Sequence, residues 1–273
     1  MNVRALAPLL LLLPGCIVPR VEDDSQALRV LTWSVNGAAE DWAERSETVI
    51  DAVLAEDPDL IGFQELELPQ VLDLAAGLEP RYRWLGLAAE DGDEEGELVP
   101  IFWRRDSYQL STEGMFWLSD APQTPGSTWP GTDRPRIASW GQFRERSTGR
   151  LMLVHNTHWQ PGDPDAQAGG AALTVQQLDL LAPTAVARIV VGALEVEEDA
   201  TPFRTLRDGA QLSDAYRVAQ PGGADPTLQG AGRIDHVLVS AGLFRVGAVQ
   251  VVAPSRSMAV SPEHRPVVAD VSW

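Results

Sequence analysis

The sequence predicts an α/β fold of layered sheets with helices on the outside. Three observations carry this. From Arg29 onward, short runs of β-branched and aromatic residues alternate with stretches whose apolar residues recur at helical spacing. Strand candidates occur in both halves of the chain with helices between them, the pattern of sheet and helix layers. No internal repeat and no dividing linker interrupts the 273 residues, a length that suits one large domain.

Leu28–Val35 is rich in β-branched and aromatic residues and reads as the first strand. Trp42–Ala55 places Trp42, Val49, Ile50, Val53 and Leu54 on one helical face, and Asp57-Pro58-Asp59 stops it. Leu60–Phe63 is a buried strand ending in Gln64-Glu65, and Pro69–Gly77 is a helix with Pro in its first turn. Tyr82–Leu87, Val99–Arg104 and Ile137–Arg144 are strand candidates, with an acidic loop at Asp91–Glu97. Pro122–Pro135 holds four Pro and two Gly and reads as a long surface loop. Leu151–Thr157 is a strand, Ala171–Leu181 a helix and Ala187–Gly192 a strand. Ile234–Ser240, Phe244–Val252 and Pro266–Val271 close the chain as strands.

Composition narrows the chemistry. Acidic side chains number 39 against 21 basic ones, every one of them Arg, for a net charge of -18. Without lysine there is no P-loop lysine for a nucleotide phosphate and no Schiff-base nucleophile. Any cation that meets a substrate is Arg, protonated His or a metal. The acidic balance disfavours long DNA, whose affinity comes largely from phosphate neutralisation. Apolar residues at 44%, charged residues at 22% and nine Trp describe a chain that folds around a full core.

The N-terminus carries one positive charge in Met1–Arg4, then the apolar run Ala5–Leu13, which is shorter than the ~20 residues that span a bilayer. Leu13-Pro14-Gly15-Cys16 follows, with the only cysteine of the chain. This resembles a bacterial lipoprotein signal. The resemblance implies removal of residues 1–15, lipidation of Cys16, a tether over 16–27 and a domain over 28–273, exported and membrane-anchored at the cell envelope. The alternative is an ordinary secretory signal with an incidental cysteine. A thiol-free body suits an oxidising compartment.

Taken singly, Glu65, His158 and His264 are ordinary residues. Their order is more specific: Leu31-Thr32-Trp33-Ser34-Val35, Gly62-Phe63-Gln64-Glu65, Asn156-Thr157-His158, Gly192-Ala193-Leu194-Glu195, Arg233-Ile234-Asp235-His236 and Glu263-His264-Arg265-Pro266. This series resembles the endonuclease/exonuclease/phosphatase superfamily of metal-dependent phosphoesterases, which includes deoxyribonuclease I-like nucleases, sphingomyelinases and inositol phosphatases. The resemblance runs from about Leu28 to Trp273. It implies a four-layer α/β/β/α sandwich of two mixed β-sheets, with the site at one edge where strand-end loops converge. It also implies a divalent cation, Mg²⁺ or Mn²⁺, that neutralises a phosphate.

Carried over residue by residue, the resemblance makes Glu65 a metal carboxylate and His158 the phosphate-stabilising histidine. Asp235 becomes a catalytic acid, His264 the general base with Glu263 orienting it, and Asn156 and Arg136 substrate contacts. The departures are as informative. Ser34 stands where the family has Asn, Ala193 replaces an Asp, Glu195 replaces an Asn as a candidate metal ligand, and Glu263 replaces the Asp before His264. Asn36, two residues beyond Ser34, is a candidate substitute. Trp159-Gln160 and Gly169-Gly170 also depart from the family text.

Two readings follow, and the sequence leaves the enzyme question open between them. In the first, phosphoester hydrolysis is lost or strongly impaired and the scaffold binds a small phosphoester, a lipid head group or a protein. In the second, an active divalent-metal phosphodiesterase or phosphatase uses a rearranged metal site. Neither reading fixes an oligomeric state, and both disfavour nucleic acid.

Overall fold

The computed structural model describes residues 27–36, 41–228, 230–252 and 264–273. The export signal, Cys16, the tether up to residue 26, and Glu263 lie outside them. The chain runs β1 (Ala27–Ser34), α1 (Trp42–Glu56), β2 (Leu60–Gln64), α2 (Leu68–Leu78), β3 (Tyr82–Leu85), β4 (Ile101–Arg104), β5 (Tyr108–Trp117) and β6 (Ile137–Glu145). It continues β7 (Leu151–His158), α3 (Pro164–Leu181), β8 (Ala187–Ala193), α4 (Thr201–Gly209), β9 (Leu212–Asp214), α5 (Ala215–Ala219), β10 (Asp235–Ser240), β11 (Arg245–Val251) and β12 (Val267–Ser272).

These strands form two six-stranded mixed sheets, ordered β11-β12-β1-β2-β4-β3 and β5-β6-β7-β8-β10-β9. Alternation along each strand decides what lies between them. Leu28, Val30, Leu60, Val154, Ile189, Val191, Val237 and Val239 face inward and form the core between the sheets. The opposite face of the first sheet, with Leu31, Trp33, Ile61 and Phe63, packs against Val49 and Val53 of α1 and Val71 and Leu74 of α2. The outer face of the second sheet, with Leu153, Val190 and Leu238, packs against Ala171 and Leu178 of α3 and Phe203 and Leu206 of α4. The result is the α/β/β/α sandwich that the sequence implied.

Some elements differ from the sequence reading for identifiable reasons. β5 has a polar, exposed middle from Ser111 to Glu113 and a bulge after Leu110, so no hydrophobic alternation announces it. It is an edge strand with only β6 as partner, and that permits the polar run. α3 begins at Pro164 rather than Ala171, because Asp163 caps it by accepting from the backbone of Asp165 (3.1 Å) and Ala166 (2.9 Å) with Pro164 in the first turn. Gly169 and Gly170 therefore lie inside the helix; a Cβ at 169 would stand 2.5 Å from the Trp129 ring of the long 122–135 loop.

Candidate active site

The inward faces of both sheets change character toward one end. Above the apolar core comes a polar clamp. Asn156, fully buried on β7, donates to the carbonyls of Phe63 (2.8 Å) and Pro100 (2.9 Å). Its Oδ1 accepts from Gln64 Nε2 at 2.7 Å, and Gln64 also donates to Thr32 Oγ1 at 3.1 Å. Gly62 makes room for this clamp: a Cβ there would lie 2.8 Å from Asn156 Oδ1 and 2.4 Å from Val191. Asn156, which the resemblance makes a substrate contact, lies fully buried within the clamp. Its amide is spent holding one sheet to the other.

One row beyond the clamp is a line of neighbours set by register. His158 of β7 pairs with Ala193 of β8, and Ala193 pairs with Asp235 of β10. Paired positions share a face, so these three side chains project together from the inner face. Ala193 thus sits between a histidine and an aspartate, fully buried, with only a methyl group. The β8 position before it requires Gly192, whose φ is 148° and where a Cβ would lie 2.0 Å from the Thr157 carbonyl.

Two carboxylates enter from the strand ends. Glu65 follows β2 with φ 61° and Glu195 follows β8 with φ 57°, both left-handed conformations that cost a non-glycine residue roughly 1–2 kcal/mol. Such strain persists where surrounding structure enforces it. Here it turns both carboxylates into a cleft of about 790 Å³. Ser34 donates to Glu65 Oε1 at 2.9 Å.

Both histidines have the same construction. His264 Nδ1 is held by Asp235 (2.9 Å to Oδ2), and its Nε2 lies 3.9 Å from Glu65 Oε1. His158 Nδ1 donates to Glu97 Oε1 at 2.6 Å, and its Nε2 lies 4.0 Å from Glu65 Oε1 and 3.5 Å from Glu195 Oε1. Burial alone would lower the His158 pKa, but Glu97 and Glu195 outweigh it and raise it to about 10, so this ring is an imidazolium at neutral pH. His264 is likewise raised, with Asp235 overcoming the opposing effect of burial. Burial would raise the Glu97 carboxyl, yet His158 and Arg136 hold it below its usual range.

His264 is fixed further by its backbone. Trp33 Nε1 donates to its carbonyl at 3.3 Å, Leu228 bridges to it, and Arg265 N donates to the Thr227 carbonyl at 2.7 Å. Thr227 Oγ1 in turn accepts from the backbone of Ile234 and Asp235, both at 3.0 Å, which ties the dyad into one unit.

The expected residues Glu65, His158, Glu195, Asp235 and His264 are therefore brought together. Arg136 reaches the cleft, but its guanidinium donates to Glu97 (2.8 Å) and Gln160 (3.1 Å), so it braces the His158–Glu97 pair. Asn36 lines the cleft with φ 48°, its carbonyl accepting from the buried Arg45 at 2.8 Å. Glu97 was not singled out by sequence, where it closes an acidic loop. The available signal was its position just before the buried run Leu98–Phe102, which fixes the last loop carboxylate against the sheet.

An oxygen-preferring cation such as Mg²⁺ takes near-octahedral oxygen ligands. Glu65 and Glu195 supply carboxylates, but Ala193 offers no donor between His158 and Asp235, and two imidazole nitrogens face Glu65 instead. This donor set fits such a cation poorly, and among the described residues no three or more His, Cys, Asp or Glu side chains form a ready metal centre.

A two-sheet sandwich with paired His–carboxylate groups at one edge defines a phosphoesterase-type scaffold. The family model described as "Endonuclease/Exonuclease/phosphatase family" matches residues 31–262, and the chain belongs to that family, whose members are typically metal-dependent. An endonuclease/exonuclease/phosphatase structure from Bacteroides vulgatus is 25% identical, covering 90% of this chain and 98% of that one, with a TM-score of 0.83. A mannosyl-6-phosphatase from Bacteroides thetaiotaomicron is 27% identical, covering 90% of this chain and 100% of that one, with a TM-score of 0.80. An uncharacterized protein of Acanthamoeba polyphaga mimivirus is 27% identical over 123 residues, 43% of this chain and 46% of that protein, so the match spans about half its length.

Proposed function

We propose that this protein binds a small phosphoester on the family scaffold, with Mg²⁺-dependent hydrolysis lost or strongly impaired. The observation that carries this is Ala193, a methyl group in the register position between His158 and Asp235. Loss of one positioned acid–base group typically costs about 10²–10⁴-fold in rate, and grouped losses do not simply multiply. Electrostatics support a small ligand. Six carboxylates line the cleft, Glu65, Glu67, Glu90, Glu97, Asp133 and Glu195, against Arg134 and Arg136. A polyanionic nucleic acid is repelled by such a rim, whereas a single phosphate can meet the His158 imidazolium. The mannosyl-6-phosphatase relative makes a sugar phosphate a reasonable first ligand to try.

A second reading, an active phosphoesterase with a rearranged site, is favoured by the Nε2 atoms of His158 and His264 both facing the cleft with carboxylates behind them. One assay separates the two. The protein is offered a generic phosphodiester and a sugar monophosphate with Mg²⁺ or Mn²⁺. The first reading expects binding without turnover; metal-dependent turnover that disappears in His264→Ala would overturn it. Envelope anchoring through Cys16 belongs to the same proposal and rests on the signal sequence alone. Labelling with a fatty-acid analogue should vanish in Cys16→Ser, and equal labelling of that variant would remove it.

A further inference from the structure

We propose that the end of the sandwich opposite the cleft docks on an anionic phospholipid surface, through Arg144, Arg146 and Arg150 of the β6–β7 hairpin together with Leu151, Leu243 and Trp273. The inference goes beyond ligand binding in the cleft, and it rests on anchoring at Cys16 only for bringing a bilayer to this end. Strand register separates the two ends. On β7, β8 and β10 the site occupies His158, Ala193 and Asp235, while Leu151, Ala187 and Ser240 are the opposite limits of the same strands. The eight residues of β7 put about 23 Å between Leu151 and His158. β1 starts at the far end too: Ala27 pairs with Ser272, next to Trp273, whereas Ser34 reaches Glu65 at the cleft. The chain that precedes Ala27 therefore joins the domain beside Trp273. Residues 16–26 can span at most about 36–40 Å, so a lipid on Cys16 holds this end close to the bilayer.

Charge singles this end out in a chain of net charge -18. Arg29, Arg104, Arg207 and Arg217 are each paired with a carboxylate. Among the described residues, Arg144, Arg146 and Arg150 form no ion pair. They are exposed and donate to the carbonyls of Gly149 (2.7 Å), Arg105 (3.1 Å) and Trp273 instead, so their charges face solvent uncompensated. Apolar surface lies beside them. Leu151 and Leu243 are 38% and 42% exposed, and an open hollow of about 450 Å³ runs between Arg144, Arg150, Leu151, Leu243 and Trp273. The Arg150 guanidinium lies 5.8 Å over the Trp273 ring, which stacks on Phe244 with centroids 5.5 Å apart. Such a mixture suits a lipid–water interface: rings, leucines and arginine stems enter the apolar boundary, and guanidinium heads meet phosphates. The cleft carboxylates do not cancel the attraction, because about 23 Å exceeds the ~8 Å Debye length at physiological ionic strength. Docked in this way, the domain turns its cleft away from the bilayer, open to a soluble phosphoester rather than to the head groups beneath.

The test is co-flotation of the full chain carrying Cys16→Ser, which removes the lipid attachment site, with phosphatidylcholine vesicles that contain about one-third phosphatidylglycerol or none. The apolar residues 5–13 are common to every variant, so the differences between variants carry the result. Each arginine at an anionic surface strengthens binding about fivefold. The Arg144→Gln, Arg146→Gln, Arg150→Gln variant should therefore bind the anionic vesicles about 100-fold more weakly, with binding of the parent falling steeply as salt rises. Leu243→Asp should weaken binding at least about 10-fold, and Arg204→Gln on α4 should leave it unchanged. Equal binding to vesicles with and without phosphatidylglycerol, or binding untouched in the triple variant and in Leu243→Asp, would overturn the proposal. Self-association that these variants abolish, without vesicle binding, would assign the face to a second copy of the chain and overturn it as well. Should the triple variant fail to fold, Leu243→Asp and the salt dependence decide. Failure here leaves anchoring at Cys16 to its own labelling assay and ligand binding in the cleft to the turnover assay.

Discussion

Replacing His155 with leucine should stabilise the protein, and more so in acid. His155 points from β7 toward the outer core, is fully buried beside the Phe116 ring, and neither ring nitrogen has a hydrogen-bond partner. Burial pushes its pKa down to about 3. The unfolded chain binds the proton near pH 6.5 and the folded chain does not until about pH 3. Stability from the neutral ring is therefore complete above pH 6.5 and is lost as pH falls through that window. At pH 4.5 the gap is about two pH units, or ~2.7 kcal/mol, a large share of the ~5–15 kcal/mol that holds a typical domain. Leucine removes both the titration and the unpaired nitrogens. His155→Leu should gain roughly 1–3 kcal/mol at pH 7 from relief of the unpaired polar atoms, and its advantage should widen by about 2.7 kcal/mol at pH 4.5. Urea denaturation of both proteins across that range measures it. An advantage that stays constant with pH would show that His155 titrates alike in both states and refute the burial argument.

Other expectations follow from the same contacts. Asn156→Ala removes three buried hydrogen bonds, to the Phe63 and Pro100 carbonyls and from Gln64 Nε2; a loss of about 3 kcal/mol is expected in urea denaturation, and a loss below ~1 kcal/mol would contradict the clamp. Arg233 donates to Asp214 at 2.6 Å and to Glu198 at 2.5 Å from a buried position. Arg233→Met leaves Asp214 uncompensated, so a cost of ~3–5 kcal/mol is expected in the same measurement, and a neutral result would mean water replaces the guanidinium. Gly62→Ala places a methyl group against Val191 and Asn156; a melting temperature lowered by the equivalent of ~1–3 kcal/mol is expected, and an unchanged one would mean the two sheets can separate freely.

Much of the architecture was legible because strands buried on both faces, such as Leu60–Gln64 and Ala187–Ala193, read as near-continuous apolar runs. β5 was not legible, since an edge strand with one solvent-facing stretch needs no apolar alternation. The site divides in the same way. Glu65, His158, Asp235 and His264 sit at the ends of recognisable strands, so their order carried them. Glu97 comes to His158 from a loop 61 residues earlier in the chain, a pairing that only the tertiary fold creates. Asn156 shares a face with His158 but sits one row deeper, where its amide meets the Phe63 and Pro100 carbonyls. The difference between clamp and site is one step along the strand, and the sequence pattern does not record depth.

The residue between His158 and Asp235 decides the chemistry on this scaffold. This is tested most directly by the initial rate of phosphodiester cleavage with Mg²⁺ in a Ser34→Asn, Ala193→Asp, Glu195→Asn variant. The added and removed carboxylates leave net charge unchanged, so folding is compared on equal terms. The expected result is Mg²⁺-dependent turnover at least about 10²-fold above wild type. A folded variant no faster than wild type would contradict the claim.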